Sequence, residues 1–195
     1  MSLLKITPSL INSLDYAVDV NELDGFRETL ERLPKPTTEA QQRGILFEGN
    51  VYGASLGQFT PDDSDSEQAA AKLGKKLQGA AYQVRGSKHL KVNGQELLLV
   101  GVADFIRAGI CYDVKTTAKY EYGKYFSSAQ HPAYFALFDG LKRFDYLVFD
   151  GHQLYTETYR QGDFQPIETH IARFLDTLDG LKLFGDYEKY WRVQE

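Results

Sequence analysis

Cysteine is nearly absent: Cys111 stands alone in 195 residues. One thiol closes no internal disulfide, and by itself it cannot hold a zinc ion or an iron–sulfur cluster. Long apolar runs are missing too. No run reaches the roughly 18 consecutive apolar residues of a membrane-spanning helix. The opening Met1-Ser2-Leu3-Leu4-Lys5-Ile6-Thr7-Pro8 lacks a charged segment followed by a long apolar stretch and a small-residue cleavage site. A cytoplasmic compartment is the expectation. No internal repeat or low-complexity tract stands out. An excess of positive charge is also lacking, since the formal net charge is −5. Taken alone, that argues mildly against nucleic acid, because phosphate binding rewards Lys and Arg.

What is present suits a globular domain. Apolar residues make up 43 % and charged residues 25 %, enough for a real core without disulfides or a structural metal. One domain over residues 1–195 is expected, with a helical segment at 1–36, a core at 37–160 and a C-terminal helix in 161–195. Charge is segregated along it. Asp62-Asp63-Ser64-Asp65-Ser66-Glu67 is acidic, whereas Lys72, Lys75, Lys76, Arg85, Lys88 and Lys91 follow with no Asp or Glu among them. This is either a solvated face or a phosphate-contacting one.

The order of elements is legible in outline. Thr7-Pro8 reads as a helix cap with Pro at the first helical position. Leu33-Pro34-Lys35-Pro36 is a break. Thr38 and Gln41 form a capping box for a helix reaching Val51. A further helix is expected from Ser66 to Leu77. Strand-like stretches follow at Tyr82–Val84, Leu90–Val92, Leu97–Ile106 and Ile110–Thr116, and Asn93-Gly94 is a hairpin turn. Ser128 caps a helix to about Leu141, with Pro132 in its first turn. Tyr146–Phe149 and Leu154–Tyr159 make a late hairpin around Asp150-Gly151. Ile167–Leu178 is a C-terminal amphipathic helix. The expected class is α/β (α+β), a central mixed, mostly antiparallel sheet flanked by helices.

The chemistry concentrates in one hairpin. A two-residue turn at Ala108-Gly109 places Asp104 opposite Asp113, with Cβ atoms about 5 Å apart. Asp113 and Lys115 are two apart and share a strand face. Two close carboxylates repel, and one takes up a proton unless a cation lies between them. A hard divalent cation with oxygen ligands, Mg²⁺ or Mn²⁺, resolves that conflict. A lysine beside it can orient water or stabilise developing negative charge. This equipment suits phosphodiester hydrolysis. The alternative is a surface hairpin with an ion pair.

Gly101-Val102-Ala103-Asp104 and Tyr112-Asp113-Val114-Lys115-Thr116 resemble the catalytic core of the PD-(D/E)XK nuclease superfamily, in its RecB-like branch. Gly44-Ile45-Leu46-Phe47-Glu48 is similar to that family's first motif, with Glu48 where many members carry His. Gln130-His131-Pro132-Ala133-Tyr134 resembles the Q-x-x-x-Y motif that follows the catalytic lysine. The likeness runs in order over roughly residues 6 to 192 and implies a restriction-endonuclease-like core. By this resemblance Glu48, Asp104 and Asp113 ligate Mg²⁺ or Mn²⁺, with the Val114 carbonyl a further ligand, and Lys115 is the catalytic lysine. Gln130 and Tyr134 contact DNA or brace the site. The iron–sulfur members of the family need four cysteines, so no cluster is expected here.

Lys88, in the basic stretch, and Lys119 are candidate phosphate contacts. Lys119 belongs to Lys119, Tyr120, Tyr122, Lys124, Tyr125 and Phe126, a mixture of cations and rings suited to single-stranded or frayed ends, or else to ordinary loop packing. The resemblance implies a metal-dependent DNA nuclease. An exonuclease acting at DNA ends in recombination or repair, of the stand-alone phage type, is the first expectation. A structure-specific endonuclease and a non-cleaving DNA-binding relative are the alternatives. A recombination protein as partner and an oligomeric state are left open.

Overall fold

The computed structural model describes residues 2–194. Local signals act where expected at the first two long helices. Thr7 accepts the Leu10 N–H at 3.2 Å ahead of Pro8. Thr38 and Gln41 exchange both bonds of a capping box. The elements are β1 (Leu4–Ile6), α1 (Pro8–Asp19), α2 (Asp24–Leu30), α3 (Glu39–Ser55), α4 (Asp65–Lys76), β2 (Ala81–Val92), β3 (Gln95–Arg107), β4 (Ile110–Thr116), α5 (Gln130–Leu137), β5 (Arg143–Phe149), β6 (Leu154–Tyr159), α6 (Ile167–Gly180) and α7 (Phe184–Trp191).

Five of these differ from the sequence reading. β1, α2 and α7 are additional. The two short strands expected at Tyr82–Val84 and Leu90–Val92 are one continuous strand, β2. The helix expected from Ser128 to about Leu141 is shorter: α5 is capped by Ala129 and ends at Phe138, whose backbone is extended. Ser128 contributes its hydroxyl, which accepts the Gln130 N–H at 3.2 Å. Gly140, at φ 78°, then turns the chain toward β5.

One mixed sheet of six strands carries the fold, and three of its five pairings are antiparallel. β2 pairs along nearly all of β3. β1 and β4 share the other edge of β3, at Leu97–Leu99 and at Phe105–Arg107. Residues 100–104 on that edge have no strand partner. Helix α5 closes on this gap. The Tyr134 hydroxyl donates to the Val102 carbonyl at 2.6 Å. The approach needs two facing glycines, Gly86 and Gly101. A Cβ at Gly101 would lie 2.7 Å from the Tyr134 ring, and one at Gly86 2.9 Å from Phe138.

Helices cover both faces. α1, α2, α5, α6 and α7 bury one core, which includes Leu97, Leu99, Ala103 and Cys111. α3 and α4 bury the other, with Phe105, Tyr112 and Val114. This is the layout of a restriction-endonuclease-like core. Among the described residues no helix is long and apolar enough to cross a membrane.

Candidate metal and nuclease site

The Ala108-Gly109 turn forms as expected, with φ of 50° and 77°. Its ladder runs from Arg107↔Ile110 to Phe105↔Tyr112 and stops there. Asp104 would be the next residue in register with Asp113. Instead its Oδ2 accepts the Val114 N–H at 2.8 Å. A residue in a strand projects its N–H and C=O to the same side. The Val114 carbonyl therefore points toward β3 as well, into the gap beside Asp104.

Asp113 is 1 % exposed. Lys115 Nζ lies 2.7 Å from its Oδ2, and the Gln130 side-chain amide donates to its Oδ1. Glu48 comes from α3. That helix approaches the end of β4 closely, because Gly44 has no Cβ: one would lie 3.3 Å from the Thr116 hydroxyl. Glu48 Oε1 accepts from the Tyr82 hydroxyl at 3.0 Å and from Gln83 Nε2 at 2.9 Å. Glu48, Val114 and Lys115 line an open cleft of about 740 Å³, together with Gly44, Ile45 and the loop 35–38. Of the three carboxylates only Glu48 lines this cleft, and none lines a second cavity of about 550 Å³ beside Arg43, Leu46, Phe47 and Phe149.

The electrostatics are unbalanced. Burial, then Asp113, then Glu48 push the Asp104 carboxyl up to about 8. Burial also raises Asp113, against the pull of Lys115. Burial opposes the charge on Lys115, but Asp113 and Asp104 outweigh it and hold the ammonium above the ordinary lysine range. Asp104 and Asp113 share one lysine while Glu48 adds negative charge beside them, and carboxylate oxygens suit a hard divalent cation. They are not a finished cage. Among the described residues no three His, Cys, Asp or Glu side chains meet as a ready metal cluster. Glu48 is engaged by Tyr82 and Gln83, and Asp104 by the Val114 amide.

The structure thus brings Glu48, Asp104, Asp113, Val114, Lys115 and Gln130 together. Tyr134 stands behind them, 4 % exposed, and braces the open edge of β3. Lys88 and Lys119 are engaged elsewhere. Lys88 donates to the Ala136 carbonyl in the last turn of α5 at 3.2 Å. Lys119 is ion-paired with Glu121.

The loop after Lys115 divides in two. Glu157 anchors it, accepting from the Tyr120 hydroxyl at 2.8 Å and the Tyr125 N–H at 3.2 Å. Tyr125 stacks on Tyr146 with centroids 4.5 Å apart. Tyr122 and Phe126 are 86 % and 60 % exposed.

Tyr82 and Gln83 escaped the sequence reading. The signal was present, since the Asn93-Gly94 turn, extended along both strands, places Gln83 opposite Asp104.

No family model matches this chain, and no curated protein does. Among solved structures it is similar to SSO0001 at 15 % identity and a TM-score of 0.55, over 93 % of this chain and 78 % of that one. That likeness is one of fold. Rai1 of Scheffersomyces stipitis aligns at 15 % identity over 92 % of this chain and 62 % of its own, with a TM-score of 0.38. That overlap is too loose to bear on fold or function.

Proposed function

We propose that the chain is a metal-dependent deoxyribonuclease of the RecB-like PD-(D/E)XK type. One observation carries the reading: Asp104, Asp113 and Lys115 converge where β3 and β4 part, and Gln130 and Glu48 close on them from α5 and α3. Asp104, Asp113 and Glu48, with the Val114 carbonyl, would hold Mg²⁺ or Mn²⁺. When bound, such a cation would supply a water of lowered pKa and neutralise charge in phosphodiester hydrolysis.

The protein groups have separable tasks. Gln130 fixes one oxygen of Asp113, so that carboxylate cannot swing away. Lys115 carries positive charge into the cleft, where it orients water or meets the charge growing on the scissile phosphate. Tyr134 keeps α5 seated on the edge of β3. Exposed Tyr122 and Phe126, beside Lys124, offer stacking surfaces and charge to a frayed or single-stranded end. That arrangement favours an exonuclease acting at DNA ends.

The test incubates purified protein with end-labelled linear DNA and closed circular DNA, in Mg²⁺, Mn²⁺ or EDTA, beside Lys115→Ala. Metal-dependent loss of linear DNA alone, abolished by the substitution, is the expected result. Cleavage of the circle would replace the exonuclease by an endonuclease. DNA binding without cleavage of either would overturn the enzymatic reading.

A further inference from the structure

Gln83 is the odd residue in the backbone. Among the described residues six non-glycine positions have positive φ. Asn93 and Ala108 lie in hairpin turns. Asn21, Arg32 and Lys182 lie just past the ends of α1, α2 and α6. Gln83 alone, at φ 53°, sits inside a strand. The β2–β3 register is continuous on either side of it, yet Gln83↔Asp104 is the one missing pair. A bulky side chain in this conformation is strained, and such strain persists only where the surroundings impose it.

The kink changes which face the strands present. Leu97, Leu99 and Ala103 join the core under α1 and α6, whereas Phe105, two residues later, joins the core under α3. Strict alternation would keep residues 103 and 105 on one side. β2 switches at the same place: Val92 belongs to the first core and Tyr82 packs on the second. The switch lays Tyr82 on α3. Its ring stacks on Tyr52 at 3.9 Å and contacts Phe105 at 5.0 Å. From there the Tyr82 hydroxyl reaches Glu48, and the Gln83 amide reaches the same oxygen.

We infer that the Tyr82–Gln83 corner is a positioning device for Glu48, holding that carboxylate for a divalent cation. The inference rests on the metal-site reading above. The left-handed backbone at Gln83 turns Tyr82 onto α3 and aims its own amide at Glu48. Two fixed donors on one oxygen set the rotamer of the side chain. Neither residue touches the cation or the scissile bond, so both are positioning residues.

Titration calorimetry with MnCl₂ on the intact protein, without DNA, tests this. Gln83→Gly keeps the left-handed backbone free of strain and deletes the amide. Tyr82→Phe keeps the ring stack and deletes the hydroxyl. Together they should weaken Mn²⁺ binding by about tenfold or more, the usual effect of removing groups that orient a ligand. Gln83→Gly alone should leave the melting temperature unchanged or higher. Gln83→Asn, which tolerates positive φ and keeps an amide, should retain more affinity than Gln83→Gly.

Mn²⁺ binding by the double variant equal to that of the unaltered protein would overturn the positioning role, with Glu48→Gln reporting whether the ligand itself matters. If Glu48→Gln also binds normally, Glu48 is not a ligand and the inference falls, while a site at Asp104 and Asp113 stands. If the unaltered protein binds no Mn²⁺, the metal-site reading fails and this inference fails with it.

Discussion

Two acidic clusters sit on neighbouring strands of the same sheet, and they are treated in opposite ways. On β5 and β6, Asp145 and Glu157 are each 1 % exposed. Asp145 has Arg143 at 3.0 Å and the Thr158 hydroxyl at 2.9 Å. Glu157 accepts from Tyr120, Tyr125 and Tyr159. Buried charge is tolerable when every lone pair finds a donor. On β3 and β4 the ratio inverts: Asp104, Asp113 and Glu48 crowd one lysine, and Asp104 is pushed up to about 8. The first cluster is built for stability. The second leaves like charges crowded in a buried place, the kind of perturbation that clusters at functional sites, and on the proposed reading it is where a cation would bind.

Perturbation should separate the two. The largest effect belongs to the crowded cluster. Lys115→Ala should reduce metal-dependent DNA cleavage on the order of 10³-fold, and it should also lower the melting temperature because Asp113 is left buried without its cation; cleavage rates and calorimetry on one preparation check both. Next comes the satisfied cluster. Glu157→Ala strands three donors, of which the Tyr159 hydroxyl is buried, and opens a cavity, so denaturant unfolding should show a loss of about 3 kcal/mol. A loss below roughly 1 kcal/mol would mean that the network contributes no more than a single ordinary hydrogen bond.

A pH-dependent effect concerns the core between the clusters, where His131 stacks on Tyr159 at 4.1 Å and meets the Tyr146 hydroxyl at 3.1 Å. Burial, with a lesser contribution from His170, pushes His131 down to about 3. The unfolded chain protonates it near pH 6.5. Its share of stability is therefore full above about pH 6.5 and is lost as pH falls toward about 3, at ~1.4 kcal/mol per pH unit. His131→Phe should remove one proton's worth of slope from unfolding free energies measured over that window; an unchanged slope would show that His131 titrates normally. The smallest expected effect has the opposite sign. Asp104→Asn keeps an acceptor for Val114 and relieves the carboxylate crowding, so in EDTA it should stabilise the fold by about 1 kcal/mol.

Much of this was readable in the chain, for local reasons. Thr38 with Gln41, Asn93-Gly94 and Ala108-Gly109 are short-range signals, and tertiary packing left them intact. The last of these turns is enough to bring Asp104 toward Asp113. What could not be read depends on contacts between elements. β2 looked like two strands because Arg85, Ser87, Lys88 and His89 are all exposed, which hides the alternation. Without a continuous β2, Gln83 had no partner to be matched with.

The segment from Lys119 to Phe126 has no period at all. Nothing in it separates Tyr120 and Tyr125, which Glu157 and Tyr146 hold, from Tyr122 and Phe126, which face solvent. The basic stretch from Lys72 to Lys91 reads as one charged face but is spread over α4 and β2. Lys76 lies 5.8 Å from the centre of the Tyr112 ring, Lys88 is tied to Ala136 and Lys91 to Glu96.

The measurement that bears most directly on the crowded cluster is the melting temperature with saturating MnCl₂ against the same protein in EDTA. A cation that binds only the folded state must raise it, by an amount that grows with the ratio of free metal to its dissociation constant. The melting temperature should rise by several degrees for the unaltered chain and not at all for Asp104→Asn. Equal melting temperatures in Mn²⁺ and EDTA, or an equal rise in the variant, would contradict a cation site at this cluster.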